Sequence, residues 1–272
     1  MRNKFLLLFL LLLSLNSCDK LLEFSLYSAY VSPDRRNTTE KNLENLFAAG
    51  NHTQFEPFRF ALVSDSHLFF DELADAVDQI NTDGDFDFVL HGGDMSDGGL
   101  IKEFDIFQDV MKELEMPYFT VVGNHDMLAN GRAIYAEMFG DENYSFVYKE
   151  CKFIFFNNVV WELNFVEPDF GWLRNELHNR NEFRHVFVIA HIPPWSDQFF
   201  LSYFFVYSLL MSENNVTLSI HGHHHEAYQY ANDTLPNGLK ITPNLVIGAP
   251  QKGSYRAVEV FADTVAFESV NF

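Results

Sequence analysis

Five short polar clusters carry the residue types that could do chemistry: Asp65-Ser66-His67, Gly93-Asp94, Gly123-Asn124-His125-Asp126, Ala190-His191 and Gly222-His223-His224-His225. Each alone has an ordinary explanation. Gly-Asp and Gly-Asn form turns, Asp126 suits a helix cap, and a single histidine is usually a solvated or core-edge residue. Together they offer carboxylates, an amide oxygen and imidazoles, a mixed N/O donor set that suits two borderline cations such as Zn, Mn or Fe. Residues at i and i+2 of an extended segment point the same way, so Asp65 with His67, and His223 with His225, are each expected to aim two donors at one point. Cations paired in this way sit ~3.5–4 Å apart and clamp phosphoryl oxygens.

The elements that must position these clusters follow from hydrophobic periodicity. Strands are expected at Phe60–Val63, Phe86–Leu90, Tyr118–Val122, Tyr144–Tyr148, Lys152–Phe156, Val186–Ala190 and Val216–Ile220. Helices are expected over Asp71–Ile80, Ile101–Leu114 and Trp172–Asn179, with a short one over Asn42–Ala49. The tail reads as β-rich, with strands at Ala257–Val260 and Val265–Phe267. Alternating strands and helices predict an α/β fold with helices covering a central sheet. Each cluster falls just past the end of an expected strand, where open α/β sheets place their sites.

In this order and spacing the five clusters resemble the calcineurin-like metallophosphoesterases, whose pattern runs Asp-x-His, Gly-Asp, Gly-Asn-His-Asp/Glu, a lone His and Gly-His-x-His. The resemblance covers Phe58 to at least His225 and implies a two-sheet sandwich flanked by helices, with a metallophosphoesterase domain over 58–272. It further implies that Asp65, His67 and His225 hold one metal, that Asp94 bridges, and that Asn124, His191 and His223 hold the other. His125 would contact the phosphate and aid the leaving group, and Asp126 would orient or charge-balance its imidazole, which makes these two the catalytic pair. The implied cofactors are two divalent or trivalent ions, Mn, Fe, Zn or Mg. The implied reaction is hydrolysis of phosphomonoesters or phosphodiesters by a metal-activated hydroxide. Asp97 stands where the purple acid phosphatase branch has a ligating tyrosine, and His67 is a histidine that branch lacks, so that branch is disfavoured.

The 272 residues are 47% apolar, with 30 phenylalanines and two cysteines, a core-forming composition that excludes disordered and disulfide-stapled chains. The 38 acidic residues exceed the 18 basic ones, for a net charge of −20. Such a field repels polyanions, so no long nucleic acid is expected as a partner, whereas a small phosphate ester can still reach a dicationic centre. Arg2 and Lys4 precede the run Phe5 to Leu13, made only of Phe and Leu, and Leu15-Asn16-Ser17-Cys18 closes the segment. Residues 1–17 read as a signal peptide of lipoprotein type. Cys18 resembles the lipidated cysteine of a bacterial lipobox, and residues 18–57 read as a tether and N-terminal extension. The protein is then expected in the bacterial cell envelope, anchored to a membrane at Cys18; the alternative is a secreted or soluble periplasmic form.

Cys151 reads as a small core residue. His91 and His221 are placed either behind the ligands or as core-edge histidines, and Trp195 either as a pocket wall or as packing. Only Ser202 and Ser208 interrupt the apolar run Phe199–Met211, which is too short to span a bilayer. It reads as a buried helix or as an exposed aromatic surface facing lipid or a partner. Two alternatives to a general phosphoesterase stand beside it: a non-catalytic lipoprotein that binds phosphate ligands through its metals, and a phosphoesterase specific for lipid head groups.

Overall fold

The computed structural model describes residues 25, 27–230 and 242–272. The leader and Cys18 lie outside the described residues. Two mixed sheets pack face to face. The first has the order β11-β10-β1-β2-β3 and the second β4-β5-β6-β7-β9-β8. In the first sheet, β1 (Phe58–Val63), β2 (Phe88–His91) and β3 (Tyr118–Thr120) run parallel, and β10 (Ser254–Val260) and β11 (Val265–Asn271) add antiparallel strands on the β1 side. In the second, β5 (Cys151–Phe155), β6 (His185–Ile189), β7 (Leu218–His221) and β9 (Asn244–Val246) run parallel, with β4 (Tyr144–Tyr148) and β8 (Tyr228–Tyr230) antiparallel at the edges.

Period-two side-chain alternation explains where the phenylalanines go. Phe58, Phe60 and Leu62 of β1 face the space between the sheets, together with Phe88, Phe153 and Phe187, all buried. Their rings interlock: Phe60 stacks on Phe88 at 5.3 Å, Phe153 stacks on Phe187 at 4.8 Å, and Phe60 meets Phe153 edge-on at 5.5 Å across the sandwich. Each such ring contributes ~1.5–3 kcal/mol by leaving water, and the stacked and edge-on geometries add to that.

The intervening residues Ala61, Val63, Val89, Val186 and Val188 belong to the cluster that includes the helices. These are α2 (Phe70–Asp83), α3 (Ile101–Met111), α4 (Gly131–Met138), α5 (Phe170–Leu177) and α6 (Leu201–Glu213). Leu73, Ala76, Val77 and Ile80 form the buried stripe of α2, as their i, i+3, i+4, i+7 spacing requires.

The first helix, α1 (Thr38–Ala48), begins four residues before the expected start. It is tied to the domain by the Asn42 side chain, which donates to the Tyr118 carbonyl, and by Leu46, which is buried in the inter-sheet core. Val31 is fully buried, so part of the expected extension packs on the domain. The helix α4 and the strands β8 and β9 were not anticipated. Among the described residues, no helix is long and apolar enough to cross a membrane.

Candidate metal centre

The parallel strands of both sheets end at one edge, and the loops leaving β1, β2, β3, β6 and β7 carry the five polar clusters to it. The local backbone is unlike the extended segment expected. Asp65, His67, Asp94, His223 and His225 all adopt positive φ, between 43° and 71°. The i, i+2 pairing therefore arises from left-handed turns and not from strand alternation. Such conformations cost of order 1–3 kcal/mol each and concentrate at functional sites. Two glycines are obligatory beside them. A Cβ at Gly93 (φ +98°) would lie 2.6 Å from His191 Nδ1, and one at Gly123 would lie 2.1 Å from Asp94 Oδ1. The Gly-Asp and Gly-Asn pairs are thus close approaches of backbone to ligand side chain.

All seven expected ligands converge. Asp65, His67 and His225 form one group with donor atoms mutually within 4.8 Å, and Asp94, His191 and His223 form a second; Asp94 also groups with His67 and His125. His67 Nε2 lies 3.2 Å from His225 Nε2, His225 Nε2 lies 3.5 Å from Asp65 Oδ1, and His191 Nε2 lies 3.1 Å from Asp94 Oδ2. His223 Nδ1 is 3.1 Å from Asn124 Oδ1. Donors bonded at ~2.0–2.1 Å to a shared cation sit about 3.0–3.4 Å apart, so these separations fit. The buried His191 Nε2, which faces the Asp94 carboxylate, makes no well-formed hydrogen bond, as expected of a donor shaped for a cation.

The electrostatics point the same way. Burial holds His67 and His225 below the ordinary imidazole range, and burial with His191 nearby pushes His223 down to about 3, so these rings favour the neutral form in which an imidazole can bind a cation. Burial also pushes the Asp65 carboxyl up to about 7. Burial would raise Asp94 too, but His191 outweighs it and holds that carboxylate well below its usual range. On His191 burial opposes charge, yet Asp94 pushes it up to about 10. Without cations, an imidazolium balances the buried carboxylates.

The loops are held by side-chain to backbone bonds. Asp65 accepts from the His223 N–H at 2.9 and 3.0 Å, joining the two sheets, and Asp94 Oδ1 accepts from the His125 N–H at 2.9 Å. His91, buried behind the ligands and pushed down to about 3 by burial, accepts from the Gly93 N–H through Nδ1 and lies 3.3 Å from Ser66 Oγ through Nε2. It therefore braces the first two clusters. His221 is a core histidine, held by the Ala190 carbonyl and Ser219 Oγ. Trp195 packs on Tyr230 at 4.7 Å and donates to the Tyr228 hydroxyl.

His125 lies at the open side of the site. Its Nδ1 is 2.7 Å from the Asp97 carbonyl oxygen. Burial opposes charge on this ring, but Asp94 and the Asp97 carbonyl outweigh it and raise its pKa. Asp126 makes no hydrogen bond to the His125 imidazole and so does not orient it, which corrects that half of the sequence expectation, but its charge does help to raise the pKa of the ring, as the other half expected. Fully buried, it accepts from the Asp94 and Gly123 N–H groups through Oδ2, and from the Ser96 N–H and hydroxyl through Oδ1, each at 2.9 Å. A carboxylate with two oxygens and four converging donors is geometrically committed to the loops.

Sequence reasoning missed Glu162, which accepts from Asn124 Nδ2 at 3.4 Å and so turns the amide oxygen toward the site. It sits on an irregular loop after β5 with no motif to mark it.

A family model described as calcineurin-like phosphoesterase matches residues 58–227, more than half of the chain. The fold is similar to a purple acid phosphatase, PPD1, from yellow lupin seeds, with a TM-score of 0.61 at 14% identity, covering 82% of this chain and 53% of that one. It is also similar to GAP50 of Plasmodium, the anchor in the inner membrane complex (TM-score 0.59, 16% identity, 79% and 84% coverage). A third likeness is to the 5'-nucleotidase of Candida albicans (TM-score 0.55, 15% identity, 82% and 53% coverage). The chain thus spans about half the length of the lupin and Candida proteins. At these identities the likenesses show the fold. No curated protein matches the sequence.

Proposed function

The chain belongs to the calcineurin-like phosphoesterase family, and on that premise we propose that it is a membrane-anchored phosphoesterase with a dinuclear metal centre, hydrolysing phosphomonoesters or phosphodiesters outside the cytoplasm. The observation that carries this reading is the convergence of Asp65, His67, Asp94, Asn124, His191, His223 and His225 from five loops of two sheets, with Asp94 reaching both ligand groups. When bound, the cations supply Lewis acidity and a hydroxide nucleophile near neutral pH.

The chain's own residues do the rest. Glu162 holds the Asn124 amide with its oxygen inward. Asp126 fixes the relative position of the loops that present Asp94 and Asn124. His125, partly exposed and favouring its charged form, offsets negative charge on the phosphoryl group and donates a proton to the departing oxygen. A ligand-binding protein without turnover has no need of a leaving-group acid at this position. Two divalent cations set against Asp65 and Asp94 leave the centre positive, which admits phosphate into an otherwise acidic protein.

Metal analysis of the purified protein, combined with a panel of phosphomonoesters and phosphodiesters, tests the reading. Two bound ions per chain and metal-stimulated hydrolysis are expected. A protein with neither bound metal nor metal-stimulated hydrolysis would refute it.

A further inference from the structure

The loops that build the site also carry an exposed apolar rim. Trp161, Phe165 and Val166 lie on the loop after β5, and Phe200, Leu201 and Phe205 on the loop and helix after β6; Phe165, Val166 and Leu201 are 60%, 61% and 70% exposed. Phe165 and Phe200 stack in solvent with centroids 6.1 Å apart. The rim starts at the wall of the site, because Glu162, next to Trp161, bonds Asn124. The apolar run at 199–211 thus divides: Phe199, Tyr207, Leu210 and Met211 are buried, and its first turns are not. An apolar cluster of this kind marks an interaction surface.

The path of the N-terminal segment indicates what covers it. The Tyr27 carbonyl accepts from Asn130 Nδ2, and Asn130 closely follows the turn of His125–Met127. Tyr27 is therefore tied to the loop that also carries Asn124 and His125. From Tyr27 back to Cys18 is a reach of at most ~30 Å for a fully extended chain. With Cys18 anchored in a bilayer, as expected from the sequence, Tyr27 and the Asn130 loop against it cannot be farther from the lipid than that. The net charge of −20 gives no attraction to anionic head groups, so contact must come from apolar insertion.

We propose that this rim docks on the bilayer holding the N-terminal segment, so that the site opens toward the membrane surface and acts on phosphate esters displayed there. The docking surface stands on the rim and the tether; the substrate half rests on the phosphoesterase reading.

The test uses the full-length, metal-loaded chain on neutral phosphatidylcholine vesicles with brominated acyl chains. Tryptophan fluorescence is expected to be quenched, and Trp161→Phe to remove the quenched component. The variant Phe165→Ser/Phe200→Ser/Leu201→Ser is expected to stay on the vesicles through its N-terminal segment but to lose the quenching. It should hydrolyse a soluble aryl phosphate at the unmodified rate, while hydrolysis of a lipid phosphomonoester in the same vesicles falls at least about tenfold. Vesicle-bound protein with Trp161 unquenched, or quenching unchanged in the triple variant, would overturn the proposal. A dimer that the triple variant abolishes, seen without quenching, would overturn it in favour of a second copy on the rim. Quenching as expected with no ester hydrolysed would leave the docking surface intact and overturn the proposed activity.

Discussion

Replacing Asp126 by alanine and by asparagine separates a loop-holding carboxylate from a catalytic one. Alanine leaves the buried N–H groups of Asp94, Ser96 and Gly123 without an acceptor. At ~1–3 kcal/mol each, that is about 3–9 kcal/mol of destabilisation. Against it stands relief of a buried charge. Burial and the neighbouring Asp94 push this carboxyl from 3.8 up to about 6, which at neutral pH makes its ionised form unfavourable by about 3 kcal/mol. The net loss for Asp126→Ala in the metal-free protein is therefore about 0–6 kcal/mol, and its midpoint of about 3 kcal/mol corresponds to a fall in Tm of roughly 6–12 °C for a domain of this size. Asparagine keeps one acceptor oxygen for the Asp94 and Gly123 N–H groups and can donate its amide to Ser96 Oγ, so only the Ser96 N–H is orphaned. The charge relief roughly cancels that loss. Asp126→Asn should then keep Tm within a few degrees and lose about 10–100-fold in cation affinity, because the loops of Asp94 and Asn124 are less firmly held. Thermal unfolding of the metal-free variants, metal content and kcat at saturating metal form the assay. If Asp126→Asn bound metal normally and still lost more than about 100-fold in kcat, Asp126 would be acting on His125 after all, and the loop-holding argument would be refuted.

Other outcomes follow from the same geometry. His125→Ala should lower kcat by about 10²–10⁴ with metal content unchanged, whereas Asp94→Ala should lose both; normal turnover by the His125 variant on an unactivated ester would remove its assigned role. His191 keeps its proton up to about 10 in the metal-free protein, so a cation must displace that proton, and affinity should rise roughly tenfold per pH unit between 7 and 9. Calorimetry in buffers of different ionisation enthalpy reads the released proton, and buffer-independent heats would contradict the assignment. Burial pushes the Cys151 thiol up to about 12, so the peptide containing it should resist iodoacetamide at pH 8 when folded and react readily in urea. Fast native labelling of Cys151 would show that its strand opens.

The ligand loops were legible because metal chemistry demands particular residue types and the glycines beside them are sterically required; the strands feeding the loops were legible from their apolar runs. The backbone that presents the ligands was not. Asp65 and His225 reach inward from left-handed turns, a conformation that non-glycine residue types do not announce. The partners of Asp126 were hidden for a related reason, since its bonds go to backbone groups of loops some thirty positions away and leave no pattern in residue type. Glu162 is invisible for the same cause. The strands β8 and β9, three residues each, are too short to show periodicity, and β9 is recognisable only through its register with β7.

The pairing of β1 with β10 joins Phe58–Leu62 to Arg256–Val260, nearly the full length of the domain apart in sequence. Residues beyond 227 are therefore integral to the sheet that carries Asp65 and Asp94, although the family match stops there. A chain ended at that point would leave β1 as a bare, apolar edge open to pairing with other molecules. During synthesis the first sheet cannot close until Arg256–Val260 is available, a topology that folds slowly and late. Assembly of the metal centre then waits for β10, and the compartment where folding completes determines which cations it meets.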